Sequence, residues 1–103
     1  MIKLFENMEE AVKKLPLSIL KDFKHGGKSY AITRLSSGIR VFENSCPHDG
    51  ASLSWGEVRG ETVACPWHHY HFSLNTGECT DYECGAMKLF EVVENQEGVF
   101  VNV

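Results

Sequence analysis

A chain of 103 residues with 43% hydrophobic and 23% charged side chains is long enough for one domain with a buried core. Its formal net charge of −4 gives no basic footprint for nucleic acid and favours partners with basic docking surfaces. No apolar run approaches the roughly 20 residues of a membrane span, and Met1 opens onto Ile-Lys-Leu-Phe-Glu rather than a basic, then apolar, export signal, so a cytoplasmic chain without a membrane partner is expected.

Asn7 is placed to cap a short helix over residues 8–14, with Glu9 and Glu10 early, Lys13 and Lys14 late, and Pro16 as the stop. From residue 18 onward the pattern is one of short strands and turn residues: strands at 18–24, 29–35 and 39–43, broken by Gly26-Gly27 and Ser36-Ser37-Gly38. His25 reads as a residue at a hairpin end. Strands at 57–58 and 62–64 flank the turn Arg59-Gly60-Glu61, a strand at 72–74 precedes Asn75-Thr76-Gly77, and strands at 89–94 and 99–103 flank Gln96-Glu97-Gly98. The expected class is all-β, with consecutive strands paired antiparallel.

Between these strands stand Cys46-Pro47-His48 and, after sixteen intervening residues, Cys65-Pro66-Trp67-His68. Two thiolates and two imidazoles in two matched sets describe a metal site, with Cys46, His48, Cys65 and His68 as ligands. The 62–64 strand, returned by the Arg59-Gly60-Glu61 turn, brings the two loops together across the spacer. A structural zinc module is the alternative reading, since zinc also accepts two Cys and two His. Zinc motifs, however, usually pair Cys with Cys and His with His, and the C-x-H, C-x-x-H pattern does not.

These motifs, with the stretches Asp49-Gly50-Ala51-Ser52-Leu53-Ser54 and Phe72-Ser73-Leu74-Asn75-Thr76-Gly77-Glu78, resemble soluble Rieske [2Fe-2S] ferredoxins. The likeness runs from about residue 32 to 103. It implies a Rieske-type antiparallel β-sandwich spanning 1–103 as a single domain, with a small cluster-binding subdomain at about 45–85. It also implies one [2Fe-2S] cluster, with Cys46 and Cys65 on one iron and His48 and His68 on the other. Two ferric ions, two sulfides and two thiolates sum to a neutral oxidised core, which accepts an electron more readily than the dianion of an all-Cys cluster.

High-potential members of the family carry a disulfide clamp where this chain has Ala51 and Trp67, and Ser and Tyr hydroxyls where it has Tyr70 and Phe72. The resemblance therefore implies the lower part of the Rieske range, about −150 mV to 0. Cys79 and Cys84, outside the motif with four residues between them, are expected as free, partly buried thiols in a reducing compartment, with a redox-sensitive pair as the alternative. His69 and His71 fall on one face of the strand after His68 and are expected to be surface residues. Trp55 and Trp67 are expected either to shield the site or to pack in the core. The family's third loop usually contains a Pro near the position of Cys84-Gly85-Ala86, and this chain has none there.

The functional expectation is a one-electron carrier, not an enzyme, passing electrons from a reductase to an oxygenase-type acceptor. A nitrite reductase small subunit is the alternative. A Rieske oxygenase would need a further domain for its mononuclear iron. Donor, acceptor and oligomeric state are not encoded in any readable motif.

Overall fold

The computed structural model describes residues 1–47, 50–67, 70–81 and 85–103. Among these, ten strands form three antiparallel sheets around one short helix. The first sheet runs β1 (Ile2–Phe5), β10 (Gly98–Val101), β9 (Val92–Asn95). The second runs β2 (Lys21–His25), β3 (Lys28–Leu35), β4 (Gly38–Glu43), β8 (Leu89–Phe90). The third and smallest runs β5 (Glu57–Arg59), β6 (Thr62–Ala64), β7 (His71–Ser73).

The helix α1 spans Met8–Lys14, and the Asn7 side chain accepts from the Glu10 amide at 2.8 Å, as its position suggested. It buries Ala11 against the base of the molecule, and Leu15 caps it just ahead of Pro16.

The second sheet is the structural divide, because strand alternation sends its side chains into two separate cores. Tyr30, Ile32, Ile39 and Val41 join Ala11, Leu15, Val99 and Val101 on one side, uniting sheet, helix and the first sheet. Ala31, Leu35 and Phe42 point the other way and pack with Leu53, Val63, Phe72, Leu74 and Met87, the core under the third sheet. A sheet buried on both faces explains why Tyr30, Ala31, Ile32 and Thr33 are buried in succession along β3. Thr33, fully buried within it, is satisfied by donating its hydroxyl to the Ile19 carbonyl at 2.9 Å. Arg40 ties the two halves: Nε donates to the Leu74 carbonyl and Nη2 to Asn75 Oδ1, each at 2.9 Å.

Three differences from the sequence reading have physical causes. The strand expected at 18–24 begins only at Lys21, because Ser18 adopts a left-handed φ of 61° and the chain first crosses the end of β3, Ser18 donating to the Arg34 carbonyl at 2.8 Å. The strand expected at 89–94 is two strands, β8 and β9, which belong to different sheets on either side of a corner at Glu91. Residues 2–5, given no strand at all, pair with β10, whose edge would otherwise be open.

Candidate metal centre

The two ligand loops leave from strands of different sheets and close in the same way. The first follows β4: the Cys46 amide donates to the Ala51 carbonyl at 2.8 Å, and the Gly50 amide returns to the Cys46 carbonyl at 2.8 Å. The second follows β6, with the Cys65 amide donating to the Tyr70 carbonyl at 2.8 Å before the chain enters β7. Each loop is thus pinned from a cysteine amide to the carbonyl five residues on.

Asn44, nine-tenths buried just ahead of the first loop, fastens it from both sides. Its Oδ1 accepts from the Ser54 amide at 2.7 Å and its Nδ2 donates to Ser29 Oγ at 3.0 Å. The chain then passes through a 3-10 turn at Leu53–Trp55 into the β5–β6 hairpin, where Glu57 faces Ala64 and Arg59 faces Thr62. Gly56 stands at that junction for a steric reason: a β-carbon there would collide with the Ala64 carbonyl.

Cys46 and Cys65 are 2% and 1% exposed and share the core of Leu53, Val63, Phe72 and Leu74. Neither is in a disulfide. Two buried thiols delivered by two matched loops fit the thiolate half of a two-Cys, two-His set. His48 and His68 lie outside the described residues, as does His69. Among the described residues no group of three or more His, Cys, Asp or Glu forms a rival metal site.

The third loop differs from expectation. Cys79 is disulfide-bonded, where free thiols were expected at Cys79 and Cys84. The chain doubles back here through antiparallel bridges between Phe72 and Cys79 and between Glu78 and Ala86. Cys84 itself lies outside the described residues. Gly85, at φ +91°, approaches the first ligand loop so closely that a β-carbon would stand 3.3 Å from Pro47 Cβ. A glycine close to Pro47 thus stands where the family's proline was missing.

One polar pair escaped the sequence reading. His71, on β7, donates its amide to Asp81 Oδ2 at 2.8 Å, and its ring Nδ1 lies 2.9 Å from the same oxygen. Since an ionised carboxylate only accepts, Nδ1 carries the proton. These bonds, the ring's first and the amide's second, hold the Asp81 carboxyl below the ordinary carboxylate value. The pair ties the third loop to the strand that follows the second ligand loop. Its partners are ten residues apart with no local pattern to link them.

Of the two expectations for the tryptophans, core packing does not hold. Trp55 and Trp67 are 77% and 62% exposed, so neither packs in the core.

Residues 7–94 match the model of the Rieske [2Fe-2S] domain family. This chain belongs to that family. Its cofactor is accordingly one [2Fe-2S] cluster. Among relatives of this Rieske chain, Ferredoxin CarAc of Metapseudomonas resinovorans is 30% identical over 87 residues, covering 84% of this chain and 81% of that protein. The oxygenase component of 3-ketosteroid-9-alpha-monooxygenase from Rhodococcus rhodochrous is 36% identical over 75 residues, 63% of this chain, which spans only 19% of that protein's length. A chain in the complex of reduced oxygenase and oxidized ferredoxin in carbazole 1,9a-dioxygenase superposes with a TM-score of 0.82 over 98% of this chain and 100% of its own, at 24% identity. At that identity the likeness speaks for the fold, an antiparallel β architecture. Among the described residues no helix is long and apolar enough to cross a membrane.

Proposed function

We propose that this Rieske chain is a one-electron carrier, not an enzyme, that takes electrons from a reductase and delivers them to an oxygenase-type acceptor. In this reading Cys46 and Cys65 hold one iron and His48 and His68 the other, within a cluster-binding subdomain at 45–85 of a single domain. The observation that carries it is the pair of buried thiols at the starts of two identically pinned loops.

When bound, the cluster supplies reversible one-electron chemistry. The chain's own residues do the rest. The Cys46 and Cys65 thiolates anchor one side, held in place by backbone bonds that do not depend on metal. Leu53, Val63, Phe72 and Leu74 keep water from that side. The near-full-length relative CarAc is named a ferredoxin, which supports the carrier over a catalytic role.

We place the protein in the cytoplasm, where Cys46 and Cys65 stay reduced and ready to take up iron. A disulfide at Cys79 is uncommon in a reducing compartment and counts against that placement, which cell fractionation tests. For the carrier itself the test is an anaerobic dithionite titration of the loaded protein. Uptake of one electron per chain, returned to an oxidised acceptor, is the expected result; no uptake, or uptake without return, contradicts it.

A further inference from the structure

We propose that the cleft between β1 and β2 is a binding site for a small aromatic carboxylate. It lies on the side of the second sheet that carries Leu15 and Ile32, whereas Cys46 and Cys65 lie with the core on the other side. Such a site neither needs nor replaces the electron-carrier reading.

Among the described residues both strands are open edges, β1 pairing only with β10 and β2 only with β3. Between them is a cavity of about 320 Å³, lined also by Lys14 and Leu15 at the end of α1 and by Ile32 on β3. That volume is at the small end of ligand sites, which run from about 300 to 1,000 Å³, and it suits one ring or two fused rings. The walls are apolar. A register shift after Lys3 leaves Leu4 without a cross-strand partner and packs both Leu4 and Phe5 against the same core. Phe23 lines the cavity from β2. Its ring stacks on Tyr30, with centroids 5.3 Å and planes 19° apart, and Tyr30 meets Phe90 edge-on at 5.2 Å. Tyr30 is buried beneath, so a flat ligand ring laid on half-buried Phe23 lengthens the stack.

Charge selects the head group. Lys3, Lys14 and Lys21 all line the cavity, and Asp22 is the acidic residue beside them. Strand alternation separates the two signs. Lys21 pairs with Ile32 and Phe23 with Tyr30, both members of the core on the cavity side, whereas Asp22 turns to the opposite face and accepts from Ser54 Oγ at 3.2 Å. Lys21 Nζ donates to the Lys14 carbonyl at 2.7 Å, which covers the negative end of α1 and leaves two of its three N–H donors for a ligand. Arg34 Nε covers the next carbonyl, of Leu15, at 2.7 Å. Lys3 and Lys14 are paired with Glu6 at 2.9 Å and Glu10 at 3.9 Å. Exposed pairs of this kind are weak and yield to a competing carboxylate. A neutral aromatic molecule gains nothing from three ammonium groups, an organic cation is repelled, and inorganic phosphate leaves the apolar walls uncovered. A ring bearing one carboxylate uses both halves of the site.

The probe is 2-naphthoate, titrated into the oxidised, cluster-loaded protein by calorimetry and followed by amide NMR. The expected dissociation constant is about 10–300 µM, with shifts centred on Leu4, Leu15 and Phe23. Affinity falls about threefold between about 20 and 200 mM salt. Naphthalene-2-methanol and 2-naphthylmethylammonium bind at least about tenfold more weakly, as does octanoate, which has the charge without the ring. Lys21→Met weakens 2-naphthoate about tenfold, and Phe23→Leu about threefold. No saturable binding up to about 5 mM, or shifts centred elsewhere in the molecule, overturns the proposal. Equal affinity for the neutral alcohol or for octanoate also overturns it, as does an unchanged constant in Lys21→Met. If Lys21→Met does not fold, Lys3→Met and the position of the shifts decide. All of these results leave the carrier reading to its own redox titration.

Discussion

Cys46 and Cys65 occupy equivalent positions in two loops that leave different sheets, each donating its amide at 2.8 Å to the carbonyl five residues further on, Ala51 in one case and Tyr70 in the other. Because both bonds are made by the backbone, the two thiols have fixed positions before any metal arrives. The Cys46 and Cys65 amides should therefore exchange slowly with deuterium in the metal-free protein, as buried, hydrogen-bonded amides do. Fast exchange at both, becoming slow only after iron loading, would show that metal builds the loops.

The reduction potential follows from what surrounds the thiols. Phe72 is wholly buried against them and offers no hydroxyl to a sulfur, while the Ala51 and Trp67 positions cannot form a clamp. A redox titration should give a potential between about −150 mV and 0. A value above about +150 mV would contradict it.

Asn44 should matter more than its distance from the chemistry suggests. Asn44→Ala leaves the Ser54 amide without its partner in a part-buried setting and frees the entry to the first ligand loop. The expected cost is about 1–3 kcal/mol. Thermal unfolding of the loaded protein should show a midpoint lower by several degrees, and an unchanged midpoint would remove Asn44 from the account.

Acid should loosen the third loop through Asp81. Its folded-state value is depressed from 3.8, first by the His71 ring bond and then by the His71 amide, so the stabilisation is fully present above the unfolded value. It is lost as pH falls through the lower folded value. In circular dichroism between pH 5 and pH 2, Asp81→Asn should weaken the acid dependence of the unfolding transition. Identical acid transitions in the two proteins would mean that the pair is formed equally well without the charge.

The sequence made the strands around the ligand loops legible because their turns are written in glycine and their faces in alternation. The 62–64 strand appears with the bounds read for it, and Asn7 caps its helix as expected. Cys46 and Cys65 were legible because a Cys-to-His spacing is a local signal. What was not legible depends on contacts made at a distance. The corner at Glu91, the edge strand at 2–5 and the bond from His71 to Asp81 are each decided by a neighbour remote in the chain. The exposure of Trp55 and Trp67 ran against the usual fate of tryptophan, and no composition rule would have found it. The Cys79 disulfide was compatible with the spacing, and only the expectation of a reducing compartment argued against it.

The central claim is that Cys46, His48, Cys65 and His68 together hold one [2Fe-2S] cluster. Iron and acid-labile sulfide analysis of the purified protein and of the four single variants, Cys46→Ala, His48→Ala, Cys65→Ala and His68→Ala, tests it most directly. The account predicts about two irons and two sulfides per wild-type chain, an EPR signal that appears on one-electron reduction, and loss of both in every variant. A colourless protein with one zinc per chain, or a variant that keeps the wild-type iron, sulfide and EPR signal, would contradict it.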